Sequence, residues 1–445
     1  MAYLGRLIKI TVPLIVCLAV TLFTSAKLLA QNVNIPSDLQ SLIDEALKAN
    51  PEVKQMRSLH RASKEVIKYA GALDDPEAMF AIKDLPTDTW SFSQDDETQK
   101  MWELTQKLPF PGKRRLRREV AESQAQADGL TYQDKANEVR AKVIISYWNL
   151  SLARSSFEIT QKNKQFWEQV VQVAETRYSV GRGNQADVLQ AQVELGNYLD
   201  RLFQWTQKQE SAKGDLNALR SQPGQAPLPQ PQLLAPRPMR MGFDDLLAQA
   251  EGRPQLHALK ALITKQEKAV DLAKKEYFPD VTIGVNYASR ENKEILDKET
   301  RFSLKRADMF GTKFIINLPI WHGSKIKPKI REEMAKQDAA KDAHQASWNQ
   351  LAAAIKDRHS KLQRLSRQIA LMDQGIIPQA RQALAASLAS YQVGSLDFGQ
   401  LYQSQIMVYN TEIQLQEYLK DFEENWAELE WLVGRELPRV PGGKK

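Results

Sequence analysis

The chain has 445 residues, 42% of them hydrophobic and 26% charged, with a formal net charge of +7. That length suffices for two or more ordinary domains, and the composition excludes a helical membrane protein. The charge falls to +5 if Arg6 and Lys9 leave with a leader, too little to argue for nucleic acid as a partner.

Arg6 and Lys9 precede an apolar run from Ile10 to Phe23 and the small residues Thr24, Ser25 and Ala26. This order predicts a secretory signal peptide over 1–26, with cleavage after Ala30 as an alternative. The run is short for a membrane span, which needs about 20 apolar residues, so an uncleaved anchor is the lesser reading. The only cysteine, Cys17, lies inside it, so the mature chain is expected to lack disulfides and thiolate chemistry.

Ser37 opens a first helical run, and Asn50-Pro51-Glu52 restarts a helix to about Ala72, with Asn as cap and Pro in the first turn. Period-two alternation then predicts strands at about 77–85 (Ala78, Phe80, Ile82 on one face) and 100–108 (Trp102, Leu104, Leu108). Leu108-Pro109-Phe110-Pro111-Gly112 leads into a helix over 113–178. Its apolar seam, from Ala136 through Val143, Leu150 and Trp167 to Tyr178, alternates steps of three and four, as coiled-coil packing requires. At 1.5 Å per residue that helix is roughly 100 Å long. A returning helix follows over 186–220, then a Pro-rich linker over 222–243.

The same order then repeats. Arg253-Pro254-Gln255 mirrors Asn50-Pro51-Glu52. Strands are expected at about 280–288 (Val281, Ile283, Val285, Tyr287 on one face) and 310–318 (Phe314, Ile316, Leu318), separated by a charged loop over 289–308. Leu318-Pro319-Ile320 precedes a long helix over 324–391, a helix over 397–433 and a polar tail over 435–445. The chain is an internal duplication, with repeats at 37–221 and 244–434.

Each repeat has a hairpin tip: Tyr178-Ser179-Val180-Gly181-Arg182 and Tyr391-Gln392-Val393-Gly394-Ser395-Leu396. The glycine stops one helix in the left-handed conformation before another begins. Four strands of nine or ten residues have the length of strands that span an outer membrane. Lipid tolerates no open sheet edge and four strands cannot close a barrel, so a membrane reading requires several copies of the chain. A periplasmic sheet on a helical protein is the alternative.

The duplicated order, the run Gln106-Lys107-Leu108-Pro109-Phe110-Pro111-Gly112-Lys113-Arg114 and the two Tyr-x-Val-Gly tips resemble the TolC-like outer-membrane efflux channels over essentially the whole mature chain. The Pro-Phe-Pro-Gly-Lys-Arg run is similar to the branch serving heavy-metal pumps. The resemblance implies a mostly α fold with a small β part, assembled as a homotrimeric α/β barrel. Twelve strands would stand in the outer-membrane lipid above a periplasmic helical tunnel. It also implies a passive exit duct, with a periplasmic adaptor protein and a proton-driven inner-membrane transporter as partners. By position, Tyr178, Val180, Gly181, Arg182, Tyr391, Val393, Gly394, Ser395 and Leu396 would face the adaptor. Pore-entrance candidates are Asp187, Asp397, Gln400 and Gln403, the two glutamines standing where the family often has aspartates. For Asp187 and Asp397 a plain helix N-terminal role is the alternative.

The basic run Lys113–Arg118, echoed by Lys325, Lys327, Lys329 and Arg331, places cations where a helix dipole disfavours them, so a compensating group is expected. Under the barrel reading both runs lie near lipid phosphates; a solvated face is the alternative. His60, His257, His322, His344 and His359 show no ligand spacing. Met239 and Met241 are soft donors better read as packing. No catalytic set or cofactor motif emerges, and no enzyme activity is expected. The rival functions are a periplasmic adaptor and a structural coiled-coil protein without a pore.

Overall fold

The structure, a computed structural model, describes residues 36–231, 241–297 and 300–438. The expected leader with Cys17, Met239, part of the linker and the end of the tail lie outside them. In chain order the elements are α1 (Ser37–Ala49), α2 (Pro51–Ala70), β1 (Glu77–Lys83), β2 (Gln99–Leu108), α3 (Lys113–Ser179), α4 (Gln185–Leu219), α5 (Phe243–Ala250) and α6 (Pro254–Lys275). There follow β3 (Val281–Ser289), β4 (Lys293–Asp297), β5 (Thr300–Leu304), β6 (Met309–Ile316), α7 (Lys327–Leu371), α8 (Ile377–Val393) and α9 (Phe398–Val433). None of the described helices is long and apolar enough to cross a membrane.

Four expectations need correction. The helix anticipated over 324–391 is not one α-helix, because π-helical turns occupy His322–Ile326 and Met372–Ile376. Each π turn ends two residues before a proline, Pro328 or Pro378. A proline lacks the N–H for its i−4 carbonyl and its ring crowds that carbonyl, so the chain widens by one residue per turn just upstream. The charged loop over 289–308 contains a hairpin, β4 with β5, in register from Lys293↔Leu304 to Asp297↔Thr300. The first strand also stops at Lys83, short of 85, and α5 begins at Phe243, the last residue given to the linker.

Contacts divide the chain into two compact units, each described by itself. The unit of 55–133 and 254–350 holds an antiparallel sheet in the order β1-β2-β3-β6. Its register aligns Phe80, Trp102, Tyr287 and Phe310 across the four strands. The next row in step is Ala78, Leu104, Val285 and Thr312, and beyond it Gln106, Ile283 and Phe314. Paired residues share a face, so the four alternations fall into phase and build one apolar, aromatic surface. The rings of Phe80 and Trp102 lie tilted at 5.3 Å, those of Trp102 and Tyr287 at 6.1 Å. The opposite face carries Glu103, Thr105, Asn286 and Lys313, with Lys313 ion-paired to Glu103. Among the described residues β1 and β6 pair on one side only.

At the helix-bearing end of this sheet Phe110 stacks on Phe278 at 4.5 Å. Lys113 Nζ, with a side chain only 7% exposed, donates to Asp280 Oδ1 at 2.7 Å and to the Phe278 carbonyl at 2.9 Å. That carboxylate is the compensating group for the first cation of α3. Arg118 pairs with Glu122, and Arg114 donates to the Gly71 carbonyl. On α3, Gly129 receives the ring of His60 from α2, whose Nδ1 lies 3.0 Å from the Ala125 carbonyl.

The unit of 36–54, 134–253 and 351–438 is helical. Asn50 caps α2 by accepting the Glu52 and Val53 N–H groups. The seams are buried at Val139, Val143, Leu150 and Trp167 on α3, Tyr198 and Leu216 on α4, and Leu401, Phe422 and Leu429 on α9. Arg253 reaches Asp134 at 3.0 Å and lies over the Trp431 ring. The Met241 main-chain carbonyl lies 3.0 Å from His359 Nε2.

Candidate functional site: the paired helical tips

The two tips share one backbone solution. In the first, Gly181 has φ 73°, and the Arg182 N–H donates to the Arg177 carbonyl five residues back at 2.8 Å. In the second, Gly394 has φ 83°, and the Ser395 N–H donates to the Ser390 carbonyl at 2.9 Å. This pairing satisfies carbonyls that a helix end otherwise leaves open. Three residues beyond each glycine a short polar side chain caps the next helix. Asn184 Oδ1 accepts the Ala186 N–H at 3.1 Å, and Asp397 Oδ1 accepts the Gln400 N–H at 2.9 Å. Asp397 is therefore an N-cap, the counterpart of Asn184; Asp187 aligns with Gln400.

Beneath the tips the four helices meet in one aromatic cluster. Trp167 and Val170 come from α3, Ala191 and Tyr198 from α4, Tyr391 from α8, and Phe398, Leu401 and Tyr409 from α9. Trp167 is fully buried, 5.8 Å from Phe398 and 6.1 Å from Tyr402. Burial pushes the Tyr198 hydroxyl up to about 12, against the opposing charge of Arg201. Rings of this size stiffen the base from which the tips project.

The tip residues named from sequence separate in this frame. Tyr178 is 50% exposed, Val180 62% and Val393 81%. Arg182, Ser395, Gln400 and Gln403 are exposed, and Leu396 packs half-buried on the cluster. Tyr391 is the correction: at 1% exposure its ring belongs to the core and offers no surface to a partner. The two tyrosines occupy matching sequence positions, but only one helix pair folds its tyrosine inward.

Arg177, at the first tip, contacts that inward tyrosine. Its Nη1 donates to the Tyr391 carbonyl at 2.7 Å and its Nη2 to the Arg182 carbonyl at 3.2 Å. Its guanidinium also lies 4.4 Å from the centre of the Tyr391 ring. The Tyr391 hydroxyl donates to Asp187 Oδ2 at 3.5 Å. Burial, then the Asp187 charge, raises the pKa of Tyr391, so it stays protonated as a donor. One arginine thus ties both tip loops, and a tyrosine passes the link to the start of α4. The available signal was a break in the repeat: Arg177 stands where the second copy has Ser390.

A fixed base, two projecting loops with bare valines and a small polar link between them suit a surface that binds a partner and shifts. They bring together no nucleophile, base or metal-ligand set. Among the described residues, no group of three His, Cys, Asp or Glu side chains is arranged to hold a metal ion.

Comparison with known proteins agrees with this architecture. The family model described as outer membrane efflux protein matches residues 42–221 and 247–435. The chain is similar to the solved outer membrane protein VceC of Vibrio cholerae, at 19% identity and TM-score 0.73, covering 89% of this chain and 96% of that one. It is also similar to CusC, a protein solved in a study of transmembrane channel formation, at 17% identity and TM-score 0.72, covering 90% and 93%. The open state of the MtrE outer membrane channel of Neisseria gonorrhoeae matches at 17% identity and TM-score 0.70, covering 92% and 95%. No curated protein matches the sequence. The family match spans both halves of the duplication and most of the chain, and the chain belongs to the outer membrane efflux protein family.

Proposed function

We propose that this outer membrane efflux channel is a homotrimeric exit duct for metal cations, opened at its tips by a periplasmic adaptor and supplied by a proton-driven inner-membrane transporter. The observation that carries the trimer is the sheet: one apolar aromatic face in phase across four strands, with both edge strands unpaired outward. In lipid each unpaired backbone group costs several kcal/mol, so the edges call for neighbouring copies, and three give the expected twelve strands. Exposed Leu189, Val193 and Phe203 on α4 supply a second apolar face for a neighbour. In this reading 37–221 and 244–434 are two copies of one unit, and 1–26 is a leader that directs export. Family membership removes the adaptor and pore-less coiled-coil alternatives.

Gating in this reading is a shift of the tip hairpins between two packings, biased by adaptor contact at Tyr178, Val180, Arg182, Val393 and Ser395. Metal cations as substrate rest on the Pro109–Arg114 run. Gln400 and Gln403 leave the mouth with fewer acids than the family resemblance leads one to expect. A Gly181→Pro, Gly394→Pro double variant should abolish efflux while trimers still assemble; normal efflux would refute the role of the tips. Growth of a deletion strain on copper, silver, zinc, cobalt and organic drugs tests the substrate, and sensitivity to the drugs alone rejects metals.

A further inference from the structure

At the junction of sheet and helices, within the unit of 55–133 and 254–350, lies a cavity of about 590 Å³. Five cations line it, Lys107, Lys113, Arg117, Lys325 and Lys329, against two carboxylates, Glu276 and Asp280. Both acids are already engaged: Asp280 holds Lys113, and Glu276 is ion-paired with Lys329. That leaves an excess of positive charge. The Arg117 side chain is half-buried and, among the described residues, has no hydrogen bond or ion pair; the Lys325 side chain is exposed and has none either. The charge of Lys107 reaches Asp280 without bonding to it. A half-buried guanidinium without an acceptor is costly, and convergent unpaired cations repel, so this lining suits an anion.

The walls say which kind. Trp321 is 69% exposed, Ile320 65% and Leu318 66%, and all three line the same cavity. They continue the chain from β6, one of the strands whose apolar rows form the lipid-facing surface. Arginine and lysine around a polar hollow beside exposed indole and aliphatic side chains match a phosphate group carrying acyl chains at the membrane–water boundary.

We propose that this cavity binds a phosphate group, supplied by an anionic phospholipid headgroup or by free phosphate, through Arg117, Lys325 and Lys107. The site shares no residue with the tips and stands or falls without the gating reading. It also gives the basic runs a task beyond pairing: Lys113 secures the junction, and the unpaired members hold the anion.

The test uses the full chain purified in a detergent with a zwitterionic headgroup, with fluorescent phosphatidylglycerol and phosphatidylcholine as probes read by anisotropy. The wild type should bind phosphatidylglycerol at least about tenfold more tightly than phosphatidylcholine, a preference that weakens with salt. An Arg117→Gln, Lys325→Gln variant with the wild-type melting temperature should lose about tenfold of that preference. Should the double variant fail to fold, Lys325→Gln alone, at an exposed position, should lose about fivefold. Displacement of the probe by inorganic phosphate identifies the free anion as sufficient, whereas no displacement identifies the lipid headgroup as occupant. Equal binding of the two lipids by the wild type, or an unchanged preference in a folded variant, overturns the site.

Discussion

Arg177 donates to the main-chain carbonyl of Tyr391 at 2.7 Å while its guanidinium lies 4.4 Å from the centre of that residue's ring. A hydrogen bond from a charged donor contributes about 1.5–3 kcal/mol, and a cation over a ring about 0.5–1 more. Arg177→Met should therefore loosen the second tip from the first and raise the open probability of the channel in planar bilayers. Arg177→Lys should fall between, because an ammonium lacks the planar fork that serves two carbonyls together. Tyr391→Phe removes only the long 3.5 Å contact with Asp187 and should change conductance less. Equal conductance in Arg177→Met and wild type would show that the link holds nothing.

The tip glycines should differ in sensitivity although they share a backbone conformation. Placing a side chain at positive φ costs about 1–2 kcal/mol at either position. Around Gly181 a new Cβ meets nothing within 4 Å, so Gly181→Ala should bear that strain alone. At Gly394 the Cβ also comes to 3.4 Å from Arg177 Nη2, which is holding the Arg182 carbonyl. Gly394→Ala should accordingly expose the tips to limited proteolysis more than Gly181→Ala does. The reverse ranking would mean that Arg177 is not the shared tie.

Gly129 stands inside the long helix α3, where alanine would ordinarily improve stability by about 1 kcal/mol. Here an added Cβ would stand 2.7 Å from His60 Cε1, closer than real Cβ atoms come. Gly129→Ala should destabilise the protein despite its better helix propensity, and His60→Ala should restore part of the loss. A double-mutant cycle should give a coupling of about 1 kcal/mol or more. Additive effects would place the ring elsewhere.

What could be read from the sequence follows the range of the interaction responsible. Strand faces were legible because the period is two and a slip of one residue inverts every side chain; Phe80, Trp102 and Tyr287 each fell on the apolar face of its own strand, and the pairing joined those faces. The tips were legible because Gly181 and Gly394 serve a backbone conformation that few other residues accept. Pro328 and Pro378 stand in the sequence, but a π turn lets a proline persist inside an otherwise helical run, so neither marks a helix end. The helix N-terminal place of Asp397 was legible too, as the alternative to a pore-lining role. The inward turn of Tyr391, the cap at Asn184 and the match of His60 with Gly129 depend on partners across helices or on loop geometry. No periodicity announces those.

Two glutamates of the helical unit should respond to pH in opposite directions. For Glu138 burial raises the pKa, but hydrogen bonds from Lys135 and Lys142, at 2.6 and 2.7 Å, outweigh it and leave the value lowered. Its contribution is present above the ordinary 4.5 of an unfolded glutamate and is lost as pH falls through the lower folded value. For Glu428 burial raises the pKa and prevails over Arg358 at 2.8 Å, helped by the charges of Glu424 and Asp357. Its contribution is present below 4.5 and is lost as pH rises through the folded value. Glu138→Gln should lower the melting temperature at pH 7, by a loss of at most about 1 kcal/mol, and flatten the profile below pH 4.5. Glu428→Gln should flatten it just above pH 4.5 and cost little at neutrality, because burying that charge is itself unfavourable. Melting curves from pH 3 to 8 read both, and a common sign for the two variants would show that Arg358 fully compensates Glu428.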